Sequence, residues 1–183
     1  KDEIESLKNV ELQDGTLKAK FRDMFVFCIY AGGLRMSDVI SLQWKHINFE
    51  ESKLSKIIRK TGHLHSFKLV LPALEILKKY KTENNTDENF IFSLVKNETE
   101  FLKNEHYAIS EIGRIAVTIS KNLEFIAQKT ELNKNLTFHM SRHTFATNAL
   151  NNGMRIEHVS KIMDHSSIRV TEIYAKVINT ELD

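Results

Sequence analysis

The chain has 183 residues, 42% of them hydrophobic and 27% charged, with one proline and one cysteine. That length can bury roughly 70% of the unfolded surface around one core, so neither disulfides nor metal are needed for folding. Cys28 alone excludes a disulfide framework or a cysteine-based metal cluster, and its place in Met24-Phe25-Val26-Phe27-Cys28-Ile29-Tyr30 marks a buried small hydrophobe. No apolar stretch reaches the ~20 residues of a membrane span, and the first residues are charged rather than signal-like. A soluble, cytoplasmic domain is expected.

The net charge of +2 is unevenly placed. Residues 52–70 hold five basic side chains (Lys53, Lys56, Arg59, Lys60, Lys68) and two histidines without an acid. Residues 134–170 hold five lysines or arginines against two acids, with four histidines, whereas the opening fourteen residues hold five acids against two lysines. Two basic segments brought to one face would suit a polyanion.

In chain order, residues 2–7 have the pattern of a short helix, and residues 17–31 are strongly apolar with helix-compatible spacing. Gly32-Gly33 breaks that helix, and Ser37 or a neighbour caps a short one running to about residue 43. Residues 46–49, 54–59 and 66–71 read as strands, joined by Glu50-Glu51-Ser52-Lys53 and by Thr61-Gly62-His63. Pro72 suits the first turn of a helix over 73–81, where its missing donor costs nothing. Residues 81–88 are turn-like, Phe90-Ile91-Phe92-Ser93 is a short apolar run, and 94–107 are irregular and charged. A long amphipathic helix is expected over 109–128, then shorter ones over 139–151, 155–162 and 167–177, with Asn151-Asn152-Gly153 as a stop signal. The pattern is mainly helical with a small antiparallel sheet (α+β).

Three segments carry polar chemistry. Ala31-Gly32-Gly33-Leu34-Arg35-Met36-Ser37-Asp38 sets an arginine between a glycine break and a helix start, where its planar fork can meet a phosphate. In Thr137-Phe138-His139-Met140-Ser141-Arg142-His143-Thr144, His139 and Arg142 share a helix face. His139 and His143 have the spacing of a zinc pair, but Met140 stands where a metalloprotease needs glutamate, so no metal site is expected. Met163-Asp164-His165 is followed nine residues later by Tyr174.

Taken together and in this order, Arg35, a lysine in a hairpin, H-x-x-R-H, a late histidine and a tyrosine resemble the tyrosine recombinases, the phage-integrase type of site-specific DNA recombinase. The resemblance runs from residue 3 to about residue 177 and implies the family's catalytic domain over residues 1–183, without the helical core-binding domain that normally precedes it. It implies Arg35 and Arg142 as the catalytic arginines, His139 as the histidine of the H-x-x-R box and His165 at the late histidine position. Tyr174 falls on the nucleophile and Lys60 on the hairpin lysine, with Arg59 and Lys68 close enough to compete for that role. Asp38 and His143 fall on supporting positions. The residues also depart from the pattern: Asp164 stands where the family usually has glycine, and only nine residues follow Tyr174.

In such a site two arginines on the non-bridging oxygens stabilise the pentavalent transition state. Tyr174 attacks phosphorus to give a 3′-phosphotyrosyl link, His139 takes its proton, Lys60 protonates the leaving 5′ oxygen and His165 donates to the phosphate. Neither metal nor any other cofactor is implied. Double-stranded DNA is the expected partner, held by phosphate contacts from Lys53, Lys56, Arg59, Lys68, Arg155, Lys161 and Arg169. The family's working form is a tetramer on two DNA sites, which would associate this protein with the nucleoid. The element expected is a phage or another mobile element. A type IB topoisomerase and an inactive DNA-binding relative are the alternatives.

Overall fold

A helical run with no polar face has to be enclosed, and residues 24–29 of α2 (Leu17–Tyr30) form such a run. In the computed structural model, which describes residues 2–130, 132 and 135–180, α2 buries Phe21, Met24, Phe25, Val26, Phe27, Cys28 and Ile29. The Thr16 hydroxyl caps it by accepting from the Ala19 N–H. Packed around it are α1 (Asp2–Asn9), α4 (Leu71–Tyr80), α6 (Glu105–Lys129) and α7 (Phe138–Asn151). In α6 the apolar stripe Ala108, Ile115, Ile119, Leu123, Ile126 recurs at helical spacing and faces α2. Burial pushes the Cys28 thiol well above its ordinary pKa, as expected of a packing residue rather than a nucleophile.

The small sheet lies beside this core. Strands β1 (Ile47–Asn48), β2 (Lys53–Ile57) and β3 (Leu64–Lys68) pair antiparallel in sequence order. Leu54 stands opposite Phe67, Lys56 opposite His65 and Ile57 opposite Leu64. Alternation turns Leu54 and Lys56 inward and leaves Ile57 and Leu64 exposed at the hairpin end. Both long strands sit one to three residues earlier than their sequence pattern indicates, so the turn takes in residues 58–63.

Two other expectations are corrected. Residues 94–107 are not irregular: Asn97 caps α5 (Glu98–Lys103) and Asn104 caps α6, each accepting a backbone N–H through its side chain. The short helix α3 (Met36–Ile40) has Arg35, a neighbour of Ser37, at its N-cap without a side-chain cap bond, and it ends at Ile40 instead of about residue 43. The last elements are α8 (Ile156–Ile162) and α9 (Arg169–Thr180). They pack against α7 around a second cluster of Ala146, Val159, Met163 and Tyr174. Lys134, which opens the second basic segment, lies outside the described residues. Among the described residues no helix is long and apolar enough to cross a membrane.

Candidate active site

The glycine pair after α2 allows two chain segments to approach closely. Gly32 and Gly33 both have positive φ, +69° and +61°. A Cβ on Gly32 would lie 2.8 Å from the Phe67 ring, and one on Gly33 would lie 3.2 Å from Arg142 Cγ and 3.3 Å from its Cα. This contact seats α7 against the α2–α3 turn. Arg142 Nη1 then donates to the Gly33 carbonyl at 2.6 Å, and Nη2 donates to the carbonyl of Met163. Burial, with Arg35 nearby, draws the Arg142 guanidinium down to about 10, so it stays charged at neutral pH.

Arg35 converges on the same turn. Its Nη2 donates to the Asp164 carbonyl at 3.0 Å, and its Nη1 lies 3.4 Å from Asp164 Oδ2. Both arginines are thus anchored on Met163-Asp164, the link between α8 and His165. Asp164 itself has φ +52°, a left-handed conformation that aspartate tolerates better than most residues.

A series of rings follows. His139 and His143 meet edge to face with centroids 4.4 Å apart, and His143 tilts against Tyr174 at 5.3 Å. His165 stacks on Tyr174 at 6.4 Å, and its Nδ1 is 2.8 Å from the Thr171 hydroxyl, itself fully buried. If the hydroxyl donates to Nδ1, the ring proton sits on Nε2 and is free to meet a phosphate oxygen. Burial, reinforced by Arg142 and Arg35, pushes His165 down to about 4; burial also lowers His139 and His143. All three are neutral near pH 7. Tyr174 is 6% exposed, and burial raises its hydroxyl pKa while Arg142 opposes the shift.

The hairpin supplies the remaining side. Asp38 is fully buried, and its Oδ1 accepts the Arg59 N–H at 2.9 Å. Burial raises its pKa against the pull of that N–H and of Lys56, Arg35 and Arg142. Lys60 follows Arg59 at the tip, exposed and with no hydrogen bond or ion pair among the described residues.

The other basic side chains differ in what they can do. Lys68, Lys161 and Arg169 are exposed, while Lys53 and Arg155 are near Glu51 and Glu157. Arg59 is paired with Glu105 and lies over the Phe101 ring. Lys56, expected among the phosphate contacts, instead points inward: it is 8% exposed, donates to the Ser41 carbonyl at 3.2 Å and is drawn down to about 8 by burial. Sequence reading missed Thr61, His63 and Thr171, which hold Asp164 and His165. It also missed His65, a buried residue of β3 whose Nε2 has no hydrogen-bond partner among the described residues.

A mainly helical domain with a small antiparallel sheet is the fold of tyrosine recombinase catalytic domains. The sequence matches the model of the phage integrase family over residues 1–181, and the chain belongs to that family. It is 29% identical over 161 residues to the tyrosine recombinase XerA of Pyrococcus furiosus, covering 87% of this chain and 52% of that protein. With the tyrosine recombinase XerC of Pediococcus pentosaceus the identity is 31% over 156 residues, covering 84% and 49%. The chain thus spans about half the length of the curated relatives it matches. Among solved structures, XerA recombinase superposes with a TM-score of 0.68 at 22% identity, covering 95% of this chain and 58% of that one. The XerH site-specific recombinase bound to its difH substrate gives 0.64 at 17% identity, covering 94% and 47%.

Proposed function

We propose that this domain cuts and rejoins DNA at specific sites through a covalent 3′-phosphotyrosine, as the strand-transfer unit of a site-specific recombinase. The observation that carries the reading is the anchoring of Arg35 and Arg142 on one turn, Met163-Asp164, that continues into His165 and the Tyr174 helix. Each guanidinium keeps N–H protons beyond those given to the main chain, and a phosphodiester between the two would meet donors already oriented. The Xer relatives are named tyrosine recombinases, and the XerH structure holds a DNA substrate; double-stranded DNA is the proposed partner here.

Cleavage forms the bond from Tyr174 Oη to phosphorus and breaks the bond from phosphorus to the 5′ oxygen. The phenol proton passes to the His139–His143 pair, of which His143 is in ring contact with Tyr174 and His139 stands behind it. The 5′ oxygen takes its proton from Lys60, and the Nε2–H of His165 steadies a non-bridging oxygen. Rejoining runs the same steps backwards with a 5′-hydroxyl of either strand. The phosphotyrosine conserves the bond energy, so rejoining needs no external energy source.

Finer readings belong to the same proposal: an integrase of a phage or mobile element, working as a tetramer on two DNA sites. The test pairs two duplexes that carry the candidate junction and looks for Holliday junctions and exchanged products. Relaxation of supercoiled DNA without any exchange would favour a topoisomerase instead.

A further inference from the structure

The Lys60 side chain has no hydrogen bond or ion pair among the described residues, yet its backbone is held on both sides. Before it, the Arg59 N–H is fixed by buried Asp38 at 2.9 Å. After it, the Thr61 hydroxyl donates to Asp164 Oδ2 at 2.6 Å, and His63 Nδ1 is 2.8 Å from Asp164 Oδ1. The turn is closed beneath by Gly62 N–H to the Ile58 carbonyl and Ile58 N–H to the His63 carbonyl, at 2.8 and 2.9 Å. From this geometry we infer that Asp164 is a positioning residue: it latches the tip of the hairpin onto the arginine turn and thereby sets Lys60 over the scissile phosphate.

An acid beside two arginines has a competing role, that of an internal anion displaced by DNA. The distances decide against it. The carboxylate makes its short bonds, 2.6 and 2.8 Å, to the hairpin, whereas Arg35 Nη1 is 3.4 Å away and the closer bond from Arg35 goes to the Asp164 main chain. Arg35 therefore keeps protons for a phosphate, and the side chain of Asp164 is committed chiefly to Thr61 and His63. Burial alone would raise its pKa, but the bonds from Thr61 and His63 and the charge of Arg35 hold it down at about 2, so the latch is ionised at any working pH. A glycine here would serve the left-handed backbone equally well but would leave the hairpin tip untied.

The inference rests on the reading of Lys60 as the proton donor, and the test separates the two. A nicked duplex bearing the junction that flanks the encoding gene is made in two forms, one with the ordinary 5′ oxygen at the scissile position and one with bridging sulfur there. A thiolate leaves without protonation, so the sulfur substrate bypasses the proton donor. In the protein that carries this chain, Lys60→Ala, Asp164→Asn, Asp164→Gly and the double variant Thr61→Val/His63→Ala are compared in single-turnover cleavage. Each should cut the oxygen substrate at least about 10-fold more slowly, with Lys60→Ala losing the most, up to the roughly 10²–10⁴-fold a proton donor contributes. Each should return to within a few-fold of the unsubstituted protein on the sulfur substrate, with DNA affinity unchanged. Asp164→Gly and Asp164→Asn both keep the left-handed backbone, which guards against simple misfolding. Rescue of Lys60→Ala without rescue of the Asp164 variants overturns the latch alone. Failure to rescue Lys60→Ala overturns the reading of Lys60 and the latch with it. Faster cleavage of the oxygen substrate by Asp164→Asn would show the competing anion instead.

Discussion

His165 and Tyr174 lie plane over plane, 9° from parallel with centroids 6.4 Å apart, and His143 tilts against the same phenol. The stack ties the late histidine to the proposed nucleophile, and the buried Thr171 hydroxyl fixes the histidine ring from its other nitrogen. The arginine turn, the ring series and the tyrosine therefore form one packed unit built on α7, α8 and α9.

The ring series separates two histidines. His143 touches Tyr174 while His139 touches His143, so the two substitutions should differ. His143→Gln should slow single-turnover cleavage by about 10²-fold or more, the low end for proton transfer. His139→Gln should act in the same direction, and its loss should grow at lower pH if it receives the proton through His143. A His143→Gln variant that cleaves at the normal rate would remove His143 from the proton path and leave His139 as the direct acceptor.

The glycine pair predicts a structural cost with a functional readout. Gly33→Ala places a Cβ 3.2–3.3 Å from Arg142 at a φ of +61°. The strain should cost about 1–3 kcal/mol, which corresponds to a lowering of Tm by about 2–4 °C for each kcal/mol in a domain of this size. Because two of the three atoms met belong to Arg142, the third being Phe145 Cδ1 at 3.2 Å, cleavage should fall further than stability alone explains, measured where the variant is still fully folded.

Basic residues should sort by burial. Lys68→Ala, Lys161→Ala and Arg169→Ala remove exposed charges and, where they meet phosphates, should each lower the slope of log K against log salt by about 0.9. Lys56→Met should leave that slope unchanged and alter folding stability, since its ammonium is spent on Ser41 beside Asp38. Binding titrations at three salt concentrations distinguish the two groups.

Stability should fall in acid in two stages. His46, His65 and His165 are each pushed down to about 4, chiefly by burial, against about 6.5 in the unfolded chain. Between those values the unfolded state binds more protons than the folded state, so stability rises with pH and is lost as pH drops from about 6.5 toward 4. Asp164, held at about 2, acts in the opposite sense of charge but the same direction of pH: its contribution is complete above about 3.8 and is lost as pH falls toward 2. Thermal unfolding across this range measures both stages; a Tm that stays level between about pH 7 and about pH 4.5 contradicts the first.

The legible parts of this chain are those whose signals are local. The enclosed helix announced itself by an unbroken apolar run, and α7 ends at Asn151 with Asn152 and Gly153 as read. Helix α5 was hidden because its capping asparagines, Asn97 and Asn104, stand among charged residues that look like loop. The strand boundaries shifted because the register is set by burying Leu54 and Lys56, and a buried lysine is not a strand signal. Within the site, the order of arginines, histidines and tyrosine was visible, but their mutual contacts were not. Asp164 is 129 residues from Arg35 and 103 from Thr61 along the chain, and no local pattern records such a pairing.

The most direct measurement is covalent trapping on a nicked duplex from which the cut 5′ fragment is lost, so that rejoining cannot occur. The account predicts protein attached to the DNA 3′ end in a denaturing gel, and no attachment by Tyr174→Phe, which should still bind the duplex with nearly the same affinity. Attachment that persists in Tyr174→Phe, or none from the unsubstituted protein on a duplex it demonstrably binds, would contradict the assignment of Tyr174 as the nucleophile and of this domain as a strand-cutting enzyme.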